Sequence, residues 1–343
     1  MSHRSFALFS AAAAMAMAPA NIVAQAPPPG AAKQAIPSNR ARSSKAWTTP
    51  RTADGRPDLQ GIWGTATLTP FERPKELAGK EFFSAEEAAE FTRTALERAN
   101  RDRRGATPEA DVGGAYNEAW FDRGTKVQSN LRTSIVVDPA DGRVPPLTPQ
   151  ASQAAAARAA VQRRRPEGPE DFALAIRCIL WPTAGPPMIP GPYNNYYQIV
   201  QTRDFIAIYV EMIHDVRIIP LDERPQLPDN VRQWTGSYRG HWEGETLVVE
   251  SRNFNGKNPF QGSSENMRLT ERFTRVGPNE IRYQFTVDDP STWTRAWSAE
   301  VPWAKTIGPI FEHACHEGNY GLANTLSGAR VEEKRAAEGA NKK

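Results

Sequence analysis

Residues 196–220 read YYQIVQTRDFIAIYVEMIHDVRIIP, and this stretch decides the fold class. Strand-forming types fill it: Ile199, Val200, Phe205, Ile206, Ile208, Tyr209, Val210, Ile218 and Ile219. Thr202-Arg203-Asp204 interrupts the run as a turn does, predicting two antiparallel strands. From Phe205 to Pro220 the run exceeds an ordinary strand of about 3–10 residues. A bend or second reversal near Met212–Asp215 is therefore expected, and around it cluster Glu211, His214, Asp215 and Arg217.

Outward from this stretch, more strands follow. Trp234–Trp242, Thr246–Glu250, Met267–Val276, Glu280–Val287, Trp293–Trp303 and Ile310–Cys315 are separated by turn residues such as Glu243-Gly244-Glu245 and Gly277-Pro278-Asn279. Ile281, Tyr283, Phe285 and Val287 alternate with polar residues, the period of a half-buried strand. With Gly61–Trp63 and Ser134–Asp138 this predicts a mainly β fold of roughly nine or ten strands. An antiparallel up-and-down meander most economically closes into a barrel or strongly curved sheet. Two helices flank it, one near 84–103, opened by the Ser84/Glu87 capping box, and one near 149–164, started by Thr148-Pro149. Both faces of Phe205–Met212 are largely apolar. One face is expected to line a ligand-sized barrel interior, the other to lie beneath the helices. Trp181–Asn195, rich in proline, reads as an edge crossover or a cavity rim.

The chain has 343 residues, with Lys+Arg 42 against Asp+Glu 39. Its basic excess sits mostly on a Pro/Ala-rich arm over 27–54, read as a flexible linker, and does not indicate nucleic acid. Residues 1–26 have the pattern of an export signal: His3 and Arg4, an apolar run from Phe6 to Ala18, then small residues. That run is too short to span a membrane. The mature protein is expected in the periplasm or outside the cell, where Cys178 and Cys315 most simply form a disulfide. A single β-rich domain over 55–329 and a charged, loose tail over 330–343 complete the organisation.

The segments NNYYQIVQT (194–202), EMIHDVRIIPLD (211–222), RGHWEGETLVVE (239–250), ERFTRV (271–276), FTVDDPSTWTRAW (285–297) and ACHEGNY (314–320) together resemble a large family of exported bacterial proteins of uncharacterised activity. That resemblance implies export and carries no reaction with it. The meander with its Gly61-Ile62-Trp63 opening also looks like a lipocalin-type barrel, in shape only.

For chemistry, His214 with Asp215 leads: an imidazole beside a carboxylate suits proton transfer near neutrality. Adjacent strand residues face opposite ways, so the pair needs the bend, or Glu211 as the carboxylate instead. His316 is placed with these as catalytic. Tyr197, Tyr209, Arg217, Arg239, Trp242 and Glu317 are the expected ligand contacts. On a helix, His313, His316 and Glu317 would converge like metal ligands, but no helix start precedes them, and no metal or cofactor is expected. No phosphate loop, dinucleotide fingerprint or hydrolase serine elbow is present. The leading expectation is cofactor-independent acid/base chemistry of lyase, hydratase, isomerase or hydrolase type on a small hydrophobic or aromatic molecule held in the barrel cavity. The alternative is a non-catalytic periplasmic binder or carrier. A third, a cell-envelope structural protein, would have a filled interior.

Overall fold

A computed structural model describes residues 47–103, 105, 107–113, 117–162 and 164–340. The expected export signal and the linker up to residue 46 lie outside the described residues. The strands are β1 (Gly61–Gly64), β2 (Val136–Asp138), β3 (Tyr196–Gln201), β4 (Phe205–Val210), β5 (Val216–Pro220), β6 (Ser237–Glu243), β7 (Thr246–Arg252), β8 (Arg268–Gly277), β9 (Glu280–Asp288) and β10 (Trp297–Thr306). They form one antiparallel sheet in the order β5-β4-β3-β1-β10-β9-β8-β7-β6, with β2 on β10. Two meanders, β3–β5 and β6–β10, are joined because β1 inserts between β3 and β10. Among the described residues no backbone ladder closes the sheet. Its ends β5 and β6 meet through side chains: a Cβ at Gly240 would lie 2.8 Å from Ile219 Cγ2, and the Arg217 guanidinium sits 4.7 Å over the Tyr238 ring.

The strands obey the alternation of their sequence. In β4, Ile206, Ile208 and Val210 point inward and are buried. The hollow expected inside is instead filled by rings. Tyr197 stacks on Trp303 at 4.8 Å; Tyr283 lies 4.8 Å from Phe273 and 5.1 Å from Trp303; Phe260 and Phe285 pack on Trp297. Residues this large, brought in from four strands and the Phe260 turn, leave the centre packed. Arg217 and Glu271 are buried among them as a bidentate pair, Nη1–Oε1 3.0 Å and Nη2–Oε2 2.6 Å. Tyr283 Oη donates to Glu271 at 2.8 Å and accepts from Met188 N–H at 3.0 Å. Burial works against the Arg217 charge, but the Glu271 carboxylate overrides it and holds the guanidinium above its ordinary pKa.

Four helices accompany the sheet among the described residues: α1 (Ala85–Ala99), α2 (Pro108–Gly113), α3 (Pro149–Gln162) and α4 (Gly321–Ala340). The Ser84/Glu87 capping box is formed, and Thr148 Oγ1 caps α3 by accepting from Ala151 N–H at 3.1 Å. Neither helix covers the outer face of β3–β5. The inward side of α1 packs with Phe83 and Val127, while α3 lies by Gly262 and Thr292. Val200, Phe205, Val216 and Ile218 therefore remain exposed.

Three further expectations change. The segment 310–315 is irregular rather than a strand. From Arg330 on, the tail continues α4, docked by Arg330 Nη2 to Pro166 O at 2.6 Å. Residues 47–54 of the expected linker fold back on the β7–β9 end, with Thr49 Oγ1 donating to Arg275 O and Arg51 paired with Glu245. The expected disulfide is present: Cys178 and Cys315 are bonded, with Cα atoms 5.7 Å apart. No helix of the described residues is long and apolar enough to cross a membrane.

Candidate functional site

The ionisable bend of the opening stretch forms a tight loop between β4 and β5, closed by Val210 N–H donating to Asp215 O at 2.8 Å. Ile213 (φ 56) and His214 (φ 46) both take the left-handed backbone conformation. For a β-branched residue this is an outlier costing on the order of 1–3 kcal/mol, a kind of strain that gathers at functional sites. It also decides what the bend can do. His214 turns outward, exposed, with Nδ1 3.4 Å from His313 O. Asp215 takes its neighbour Val216 N–H at 2.9 Å. The two side chains are not paired.

Glu211 goes the other way and is 1% exposed. Its N–H donates to Tyr196 O at 3.1 Å, extending the β3–β4 pairing by a step. Oε1 accepts the Phe311 N–H at 3.0 Å. Oε2 is buried without a hydrogen bond of ordinary geometry. Burial raises its carboxyl pKa; the Phe311 and Tyr196 backbone and the Asn194 side chain pull it down, and Asp122 adds to the rise. Asp122 is also raised, by burial, with the Tyr196 hydroxyl opposing. Tyr196 is raised by burial and then by Asp122, with Glu211 adding less. Two carboxyl groups and a phenol thus influence one another, an arrangement that favours keeping a proton among them.

The scaffold explains how they meet. Tyr196 is the register partner of Gly64 on β1, and a Cβ at Gly64 would stand 3.0 Å from the Tyr196 ring, so glycine there makes room for the phenol. Asn195, 2% exposed, clamps Asp122: its Nδ2 donates to Asp122 O at 2.6 Å and to Gly191 O at 3.0 Å, and its Oδ1 accepts from Gly191 N–H at 2.6 Å. Asp122 N–H in turn donates to Pro192 O at 2.8 Å. The strap 307–320 crosses the bend, fixed by Phe311 at one end and at the other by the disulfide and Asn319, whose Nδ2 donates to Ile176 O at 3.1 Å.

The remaining sequence-picked residues are dispersed. Tyr197 and Arg217 belong to the packed interior, where burial holds the Tyr197 phenol well above its ordinary value. Tyr209 is half-buried on the outer face, opposite Gln198 and Val216. Arg239 is spent on the carbonyls of Arg224 and Pro225. Trp242 is half-buried with Nε1 unpaired. His316 and Glu317 are exposed on the strap beyond Cys315. Among the described residues no three His, Cys, Asp or Glu side chains gather as metal ligands would. Asp122, Asn195 and Tyr196 have no motif of their own: Asp122 lies in a loop, and Tyr196 sits on the opposite strand face from Tyr197. Comparison with protein-family models, curated proteins and solved structures returns no match.

Proposed function

We propose that this protein is an exported enzyme performing cofactor-independent acid/base chemistry on a small, fairly hydrophobic molecule, at the Glu211 bend rather than inside the curved sheet. One observation carries this reading: a nearly inaccessible carboxyl, raised in pKa, with one oxygen lacking a hydrogen bond of ordinary geometry, under the influence of a second raised carboxyl. Such a group holds its proton to higher pH than a free glutamate does, the direction a general acid needs. Asp122 is suited to the complementary role and Tyr196 to passing a proton between them; His214, on the strained outer turn, stands at the approach. Elimination, hydration, isomerisation and hydrolysis all need this pairing. The disulfide supports an oxidising compartment.

A non-catalytic cell-envelope structural protein is the second reading, favoured by the filled interior and by the structural engagement of Arg217 and Arg239. Turnover of small aromatic esters, epoxides and hydroxy acids, compared between the unaltered protein, Glu211→Gln and Asp122→Asn, separates the two. The enzyme reading expects losses of about 10²–10⁴-fold in each variant. Turnover unchanged by Glu211→Gln would leave the non-catalytic reading.

A further inference from the structure

Glu211 is 1% exposed, so a substrate touches its carboxyl only when something that covers it moves. The pieces in contact with the bend differ in how firmly they are held. β3 and β4 are bound to one another along a five-residue ladder. Asn195 is buried, and its side chain fixes the Asp122 loop through three hydrogen bonds. The strap 307–320 is the exception: no residue of it is buried.

The arm 309–314 of this strap is lightly attached. It runs from Gly308 (φ 78) to Cys315, where the bond to Cys178 anchors it. Among the described residues two hydrogen-bonding contacts join the arm to the rest of the chain. Phe311 N–H donates to Glu211 Oε1 at 3.0 Å, and His214 Nδ1 stands 3.4 Å from His313 O. Both go to the bend. Phe311 is 64% exposed, so its ring adds little burial to hold the arm down. A segment with so few buried contacts opens at low free energy, independently of the core. Glu211 Oε2 on the bend and His313 Nδ1 on the arm are both buried without a hydrogen bond of ordinary geometry. Native structures rarely leave such atoms unmatched.

We propose that the arm 309–314 is a lid, pivoting at Gly308, tethered at Cys315 and latched by the Phe311–Glu211 hydrogen bond, and that it lifts to admit a small molecule to Glu211. Glycine at 308 supplies a left-handed hinge that other residues adopt only at a cost. The tether lets the arm bow outward without swinging free, which suits a small molecule and not a folded protein as substrate. Reclosing excludes water from the occupied site. The inference rests on reading Glu211 as the acid, so its tests are read without turnover.

Carbodiimide coupling of carboxyl groups to a small amine in the full chain, mapped by mass spectrometry, tests it, with the exposed Glu338 as internal reference. In the unaltered protein Glu211 should label slowly, at a rate unmoved by urea below the unfolding transition. Phe311→Pro, which removes the latching N–H, should raise that rate about tenfold or more. Glu338 labelling and the circular dichroism spectrum should stay unchanged. Amide exchange of the unaltered protein gives a second reading: Phe311 should exchange at least about a hundredfold faster than the central amides of β9. Glu211 labelling that follows global unfolding, a rate unchanged in Phe311→Pro, or Phe311 exchange as slow as that of β9 would overturn the lid. Local opening in a protein that shows no turnover would support the lid and count against the enzymatic reading alone.

Discussion

The backbone N–H of Phe311 donates to Glu211 Oε1 at 3.0 Å, across 100 residues of sequence. One contact therefore joins the bend of the β4–β5 hairpin to the disulfide-held strap, and does so through a carboxyl that burial keeps inclined to hold its proton.

The pH dependence of stability follows in sign. Glu211 and Asp122 are raised in the folded state, so the folded protein binds more protons than the unfolded chain above the ordinary carboxyl range. Their stabilisation is complete below that range and is lost as pH rises through the folded values. Glu211→Gln should flatten this part of the profile and, at pH above the folded-state midpoint, raise stability by on the order of 1 kcal/mol, because there it removes a buried charge. Urea denaturation between pH 4 and 8 (roughly the window of carboxyl titration) measures it.

Removing Arg217 alone should be costly. Glu271 is fully buried, and without the guanidinium only Tyr283 Oη remains as donor to it. Arg217→Met is expected to cost about 3–5 kcal/mol, and a second change, Glu271→Leu, to recover much of it. Equilibrium unfolding of the single and double variants decides; a double variant no more stable than the single would contradict the packing described.

The β3–β5 meander, the capping box of α1 and the disulfide were legible in the sequence because each depends on local pattern or on compartment. The place of β1 was not: Gly61–Gly64 is too short to show alternation, and its pairing with β3 and β10 is set by the sheet as a whole. Nor was the packed centre visible, because ring-on-ring filling depends on which faces meet. His214-Asp215 looks like a pair in one dimension, yet two left-handed residues turn the imidazole away. Asp122 reaches the site through the Asn195 clamp, a contact between loops 73 residues apart. The 310–315 stretch joins no strand; its Phe311 N–H goes to Glu211 Oε1 instead.

The FTVDDPSTWTRAW segment is a structural turn, and its stability is testable. Asp289, 1% exposed, accepts from Ser264 N–H at 2.6 Å, Ser264 Oγ at 2.9 Å, Ser291 N–H at 3.2 Å and Thr292 Oγ1 at 2.8 Å. Asp289→Ala orphans several buried donors and should cost at least about 2–3 kcal/mol, against about 1 kcal/mol for Ser264→Ala. Thermal unfolding of the two variants gives the comparison.

Opening the Cys178–Cys315 link, which closes a separation of 137 residues, should lower stability by roughly 2–5 kcal/mol. Locally it should loosen the strap. Hydrogen exchange at the Phe311 amide is expected to quicken in Cys178→Ser with Cys315→Ser more than exchange in β8 or β9 does.

The most direct measurement is the titration of the Glu211 carboxyl carbon by NMR in the full chain, assigned by its loss in Glu211→Gln. The account predicts a midpoint above the ordinary glutamate value, with Asp122 responding to the same substitution. A midpoint at or below that value would contradict it, leaving the bend a structural turn with no proton to give.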